Sequence, residues 1–319
     1  MKKIYIILLA ATAIYSCQHD IVREADFNIT LDPSNTYKAG EPVRFNIDGE
    51  VDNIIFYSGE TGSQYKYKDR YSVVADDVRS ANLSLDFQAR YGNAGALEIW
   101  ISNSFEGLDG EDGESDRAML KDLYDKGMPG WTRLDYQEGA STKWTNQNFD
   151  LSSFIDNFCI AFHWKPESST TTQRTYWING SLSLDIEGAE PSVMDVSELG
   201  FKTVMLNEQI EDPYLKNNGN GSIILNNPNT AAIIFQGVGA NALEYALDGW
   251  AISTPSSLNK VANDKAVVIK NIQNYLYTYE YVWAEPGNYT VTFVGTNSNY
   301  MDSSGEIKEM NITIIENLL

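Results

Sequence analysis

Apolar and polar residues alternate with a period of two through much of this chain. Phe27, Ile29 and Leu31 enclose Asn28 and Thr30, and the same beat returns at Val43, Phe45 and Ile47 and at Leu83, Leu85 and Phe87. Alternation of this kind belongs to strands with one buried face. Apolar stretches at 97–101, 160–164, 182–186, 223–225, 233–235 and 289–293 extend the series, with Gly, Asn, Asp and Pro clusters in the gaps. A helical period is persuasive only over 116–125, where Leu120, Leu123 and Tyr124 share a face and Gly127 supplies a stop. Many short strands with hardly a helix between them predict an all-β chain of multi-domain β-sandwiches, and one helix cannot build an α/β enzyme fold.

The first residues break this pattern. Lys2 and Lys3 precede an apolar run over 4–14, which ends at Ser16 and Cys17. This is the layout of a lipoprotein signal, and the run is shorter than the roughly 20 residues a spanning helix needs. The expectation is a signal peptide over 1–16, lipidation at Cys17 and a polar tether over 17–25; the plainer alternative is a secretory signal that happens to contain a cysteine.

The formal charge is −21, and cleavage before Cys17 would remove Lys2 and Lys3 and deepen it to −23. Such an acidic body is repelled by nucleic acid and by anionic headgroups, so acyl chains would have to make the membrane link. Cys159 is the other cysteine, and with Cys17 acylated no intramolecular disulfide is possible.

The length suggests two or three domains, expected as a sandwich over 26–79, a second over 80–188 and a C-terminal β domain over 189–319. Each end is short for a complete sandwich. They form separate modules, which is the expectation, or build one domain split by an insertion.

Motifs sharpen the domain types. Ala39-Gly40-Glu41-Pro42-Val43, followed by Phe45, looks like the opening of an Ig-like module, and Glu285-Pro286-Gly287-Asn288-Tyr289-Thr290-Val291 resembles the penultimate strand of polycystin-type Ig-like repeats. Asn148-Phe149-Asp150-Leu151-Ser152-Ser153-Phe154, with Ile160-Ala161-Phe162 and Tyr176-Trp177-Ile178-Asn179, is similar to galactose-binding-like jelly rolls. Together with Tyr37-Lys38, Phe56-Tyr57-Ser58-Gly59-Glu60, Tyr67-Lys68-Asp69-Arg70 and Trp250-Ala251-Ile252-Ser253, these segments resemble an uncharacterised domain family of Bacteroidetes surface lipoproteins. In such lipoproteins acids behind the lipidated cysteine, here Asp20, Glu24 and Asp26, resemble the signal for the outer face of the outer membrane; here they are spaced, and a solvated linker explains them almost as well. The resemblance implies a surface-exposed accessory in polysaccharide utilisation, with a glycan as ligand and a transporter complex as a further partner.

Catalytic signals are sparse. Histidine occurs at His19, in the tether, and at His163, on a predicted strand between Phe162 and Trp164. A Ser-His-Asp triad or a multi-histidine metal centre is thereby nearly excluded. Cys159 has no basic neighbour to lower its pKa and reads as a buried, inert thiol. The 44 acids offer many carboxylate pairs, none of which stands out, so a divergent glycosidase trails as a third reading.

Asp109, Glu111, Asp112 and Glu114 form the densest run of hard oxygen ligands, suited to a structural calcium ion. The spacing fails the EF-hand pattern, and acids ahead of a helix also stabilise its N-terminus.

Glycan binding calls for flat aromatic faces beside amides and acids. Trp131 and Trp144 lie in polar surroundings and Trp100 shares a strand face with Glu98 and Ser102, so these three are the candidate ligand contacts, while Trp164 and Trp177 are assigned to core. Tyr275, Tyr277, Tyr279, Tyr281 and Trp283 form a period-two ladder, read first as packing. The expected function is non-catalytic glycan binding at the cell surface; the rival is a structural or adhesive lipoprotein with a protein partner.

Overall fold

A computed structural model describes residues 22–31, 36–110, 112–167, 172–206, 221–238 and 247–317. Cys17 and Glu111 lie outside the described residues. The chain forms two compact units, one made from both ends, up to Arg70 and from Ala262 onward, and one from Tyr71–Val261.

Strands are numbered along the chain. The end unit contains β1 (Asp26–Leu31), β2 (Tyr37–Lys38), β3 (Pro42–Glu50), β4 (Asn53–Tyr57), β16 (Val267–Lys270), β17 (Thr278–Val282), β18 (Gly287–Ser298) and β19 (Ser303–Ile315). One sheet has the order β1-β3-β17, the other β16-β4-β18-β19-β2. Phe45 from the first sheet meets Phe56 and Phe293 from the second at ring-centroid distances of 5.9 and 5.1 Å, and Phe27, Ile54, Trp283 and Val291 complete the core. Gly295 is required there, because an added Cβ would come within 2.5 Å of the Phe27 ring.

The middle unit contains β5 (Val78–Arg90), β6 (Leu97–Ser102), α1 (Gly113–Asp125), β7 (Thr132–Leu134), β8 (Trp144–Asp150), β9 (Cys159–Trp164), β10 (Thr175–Ile186), β11 (Ser192–Asp195), β12 (Lys202–Met205), β13 (Ser222–Asn227), β14 (Ala231–Gln236) and β15 (Gly249–Ile252). Its larger sheet has the order β13-β14-β10-β5-β8, with β11 also paired to β10, and its smaller sheet the order β12-β15-β9-β6-β7. Between them lie Leu83, Leu85, Phe87, Ile99, Ile101, Phe162, Trp164 and Tyr176. Every residue of β9 is buried, since its other face, with Cys159 and Ala161, packs with Leu120 of α1, Met128, Val204, Trp250 and Ile252.

The structure bears out the all-β, multi-sandwich expectation and corrects the domain boundaries. Residues 26–79 are not a sandwich on their own: β3 pairs with β17, and β4 lies between β16 and β18. Four short strands bury too little surface alone, so the distant end of the chain completes the core. Nor does the second domain stop at 188, because β14 and β15 pair with β10 and β9.

Candidate functional site

The outward face of the larger sheet in the middle unit carries a row-by-row set of polar side chains. Along β5 the residues Ala81, Leu83, Leu85, Phe87 and Ala89 point into the core, so strand geometry turns Asn82, Ser84, Asp86, Gln88 and Arg90 outward. The edge strand β8 exposes Trp144, Asn146, Asn148 and Asp150 on the same side. On β10, Tyr176, Ile178, Leu182 and Leu184 are buried, which leaves Trp177, Asn179, Ser181 and Ser183 facing out. Register aligns these positions into rows: Trp144, Gln88 and Trp177; Asn146, Asp86 and Asn179; Asn148, Ser84 and Ser181; Asp150, Asn82 and Ser183.

These side chains hold one another in place. Asn146 Nδ2 donates to Ser84 Oγ at 2.8 Å and to Asp86 Oδ1 at 2.9 Å, and Asn148 Nδ2 donates to Asn146 Oδ1 at 2.7 Å. Arg90 Nε donates to Gln88 Oε1 at 2.8 Å, and its guanidinium lies 3.8 Å from the Trp177 ring centre. Trp144 remains 44% exposed at the rim. A half-exposed lattice of amides, hydroxyls and a carboxylate, with the Trp144 ring open at its rim, can exchange paired hydrogen bonds with vicinal hydroxyls and cover a C–H face.

Trp100 and Trp131 stand elsewhere, half-buried in the cluster on the α1-covered face of the smaller sheet. Trp100 Nε1 donates to Glu98 Oε2 at 3.4 Å, and the Trp131 ring packs 5.1 Å from Phe105. His163, on the same face, is only 1% exposed. Its ring stacks on Trp250 at 4.0 Å, Nε2 lies 2.7 Å from Asp248 Oδ1, and Nδ1 lies 3.4 Å from Glu98 Oε2. Burial works against the charged imidazole, yet the two carboxylates outweigh it and raise the His163 pKa. The Cys159 thiol, pushed up to about 11 by burial, donates to the Ser253 carbonyl at 3.0 Å and is no nucleophile at neutral pH.

A second buried cluster is built on Glu138. Its carboxylate accepts from Gly95 N at 2.9 Å, from Arg174 Nε at 3.1 Å and from the Tyr176 hydroxyl. Burial alone would raise its pKa, but Tyr176, the Gly95 amide and Arg174 hold it below the usual carboxylate range.

The acidic loop serves α1. Asp112 is the N-cap, its Oδ1 accepting from Glu114 N at 3.1 Å and Ser115 N at 3.2 Å, so the helix begins three residues earlier than its apolar period indicated. Asp116 accepts from Asp109 N and Gly110 N, both at 2.9 Å, and Glu114 pairs with Arg117 at 3.4 Å. Among the described residues no group of three or more His, Cys, Asp or Glu side chains converges as metal ligands would.

A family model described as a domain of unknown function (DUF5017) matches residues 16–202. The chain belongs to this family. The DUF5017 match contains every residue of the rows on β5, β8 and β10, and stops before β13. No curated protein and no solved structure matches the chain.

Of the three candidate tryptophans, the polar face therefore holds Trp144 alone. It adds Trp177, which the sequence reading placed in the core, together with Asp86, Gln88, Arg90, Asn146 and Asn179. The parity of β10 carried the signal: Leu182, Leu184 and Ile186 face inward, so Tyr176 and Ile178 do too, and Trp177 must face out.

Proposed function

We propose that this protein is a non-catalytic glycan-binding lipoprotein, anchored through acylated Cys17 in the outer membrane, exposed at the cell surface and accessory to polysaccharide uptake beside a transporter. What supports this reading most is the face bounded by Trp144 and Trp177, whose amide and carboxylate side chains are pre-ordered by bonds of 2.7–2.9 Å. A surface organised before the ligand arrives loses less entropy on binding. The width of three strands accommodates a chain of sugars rather than one enclosed monosaccharide. Among the described residues no helix is long and apolar enough to cross a membrane.

Affinity electrophoresis against β-glucan, xylan, mannan, pectin and mucin glycans tests the function. The protein should be retarded by at least one polymer without shortening it, and Trp144→Ala should abolish the retardation while the melting temperature stays nearly unchanged. Retardation by none, or equal retardation of wild type and both Trp144→Ala and Trp177→Ala variants, overturns the assignment. For the anchor, Cys17→Ser should release the protein from membrane pellets, and protease added to intact cells should degrade the wild type.

A further inference from the structure

Tyr275, Tyr300 and Tyr277, at 88%, 82% and 72% exposure, are the three most exposed large apolar side chains among the described residues, and Ile272 and Met301, at 69% and 66%, are exposed as well. Strand register gathers all five at one end of the end unit. The link from β16 to β17 carries Ile272, Tyr275 and Tyr277, the β18–β19 turn carries Tyr300 and Met301, and the β3–β4 turn lies beside them. The core does not account for Tyr275 and Tyr277: in the same period-two ladder Tyr279 and Tyr281 lean on the core and Trp283 is wholly buried, whereas Tyr275 and Tyr277 precede the strand and face water.

The chain enters the fold at this same end. Val22 and Arg23 line a hollow of about 480 Å³ together with Ile272, Tyr275 and Asn299, and Asn297 Nδ2 donates to the Arg23 carbonyl at 3.1 Å. Five peptide links separate Cys17 from Val22, a reach of at most about 18 Å. If Cys17 carries the lipid, as proposed above, this end lies against the membrane.

Its chemistry fits a bilayer surface. No acid occurs over residues 270–279, in a chain with 44 of them, and that stretch carries Lys270. Nearby, Glu50 is paired with Arg23. Asp48, Asp52 and Asp302 keep the end from being basic, so attraction to anionic lipid is not what would hold it. Tyrosine, with an apolar ring and a polar tip, favours the boundary between headgroups and acyl chains.

We propose that the Tyr275–Tyr300 end of this unit rests in the headgroup boundary of the bilayer, so that the lipid anchor holds this unit in a fixed attitude instead of on a loose leash. The proposal depends on acylation of Cys17, and the test separates the two. Full-length lipidated protein is reconstituted into phosphatidylethanolamine–phosphatidylcholine vesicles, with an environment-sensitive fluorophore at Tyr275→Cys, at Tyr300→Cys or, as control, at Glu41→Cys beyond the opposite end of β17. Cys159 is buried and does not compete for label.

The 275 and 300 probes should shift to the blue and be quenched by spin-labelled lipid, with high salt making no difference, while the 41 probe stays aqueous. Vesicle-bound protein whose 275 and 300 probes remain as wet as the control overturns the docking and leaves the anchor standing. Protein that does not partition into vesicles overturns both. A blue shift that needs no vesicles means that a second copy or another protein covers the end, and also overturns the proposal.

Discussion

Replacing His163 by Ala should destabilise the middle unit by about 3 kcal/mol. The ring lies between two carboxylates, 2.7 Å from Asp248 and 3.4 Å from Glu98, with Trp250 stacked on one side and the Tyr124 edge 4.4 Å away. Breaking a buried ionic pair costs about 3–5 kcal/mol when the survivor is left uncompensated. Here Lys165 still reaches Asp248 at 2.9 Å and Arg133 reaches Glu98 at 3.2 Å, which puts the cost at the low end.

For a unit of this size about 3 kcal/mol lowers the melting temperature by roughly 6–12 °C. The deficit should depend on pH with a definite sign. A raised His163 pKa means that the imidazolium contributes fully below the ordinary value near 6.5, and the contribution fades as pH climbs through the folded value. The His163 contact and Arg133 hold Glu98 down, and His163 and Lys165 outweigh the burial of Asp248, so the carboxylate contribution disappears as pH falls. Calorimetry of wild type and variant should therefore find the largest gap between about pH 4.5 and 6.5, closing toward alkaline pH. A gap that is constant from pH 5.5 to 9 would refute the reasoning, because the buried ring would then be neutral.

Two further outcomes follow from the buried and capping carboxylates. Glu138→Ala leaves Arg174, nine-tenths buried, without its partner at 2.5 Å, and should cost about 3–5 kcal/mol in chemical denaturation; a loss below about 1 kcal/mol would show that water replaces the carboxylate. Chelator should leave the melting curve unchanged, because Asp112 and Asp116 are engaged by backbone N–H groups, and a calcium-restored drop in melting temperature would contradict that account.

The strands were legible because each carries its own alternation: Phe27 to Leu31, Val43 to Ile47 and Leu83 to Phe87 all lie where the period placed them. What alternation cannot convey is pairing over long sequence separations. That β4 joins β18, more than 230 residues later, follows from the shared core of Phe56 and Phe293, and nothing local to either strand announces it. That Trp100 and Trp131 lie apart from Trp144 was hidden for a related reason. Polar composition around Trp131 suggested a loop at the surface, and Trp131 is a loop residue, but its ring packs on Phe105 against the cluster beneath α1 and is half-buried. Trp177 was assigned to core because it lies on a predicted strand, whereas the rows that join it to Asp86, Asn146 and Trp144 exist only once β10, β5 and β8 are in register.

The most direct test of the glycan-binding face is the set of indole N–H resonances, one for each of the 7 tryptophans. Titration with an oligosaccharide cut from the best-retained polymer should shift the Trp144 and Trp177 signals and leave those of Trp100 and Trp131 in place. Shifts at Trp100 or Trp131 with Trp144 and Trp177 unmoved would contradict the account and return the site to the helix-covered side of the sandwich.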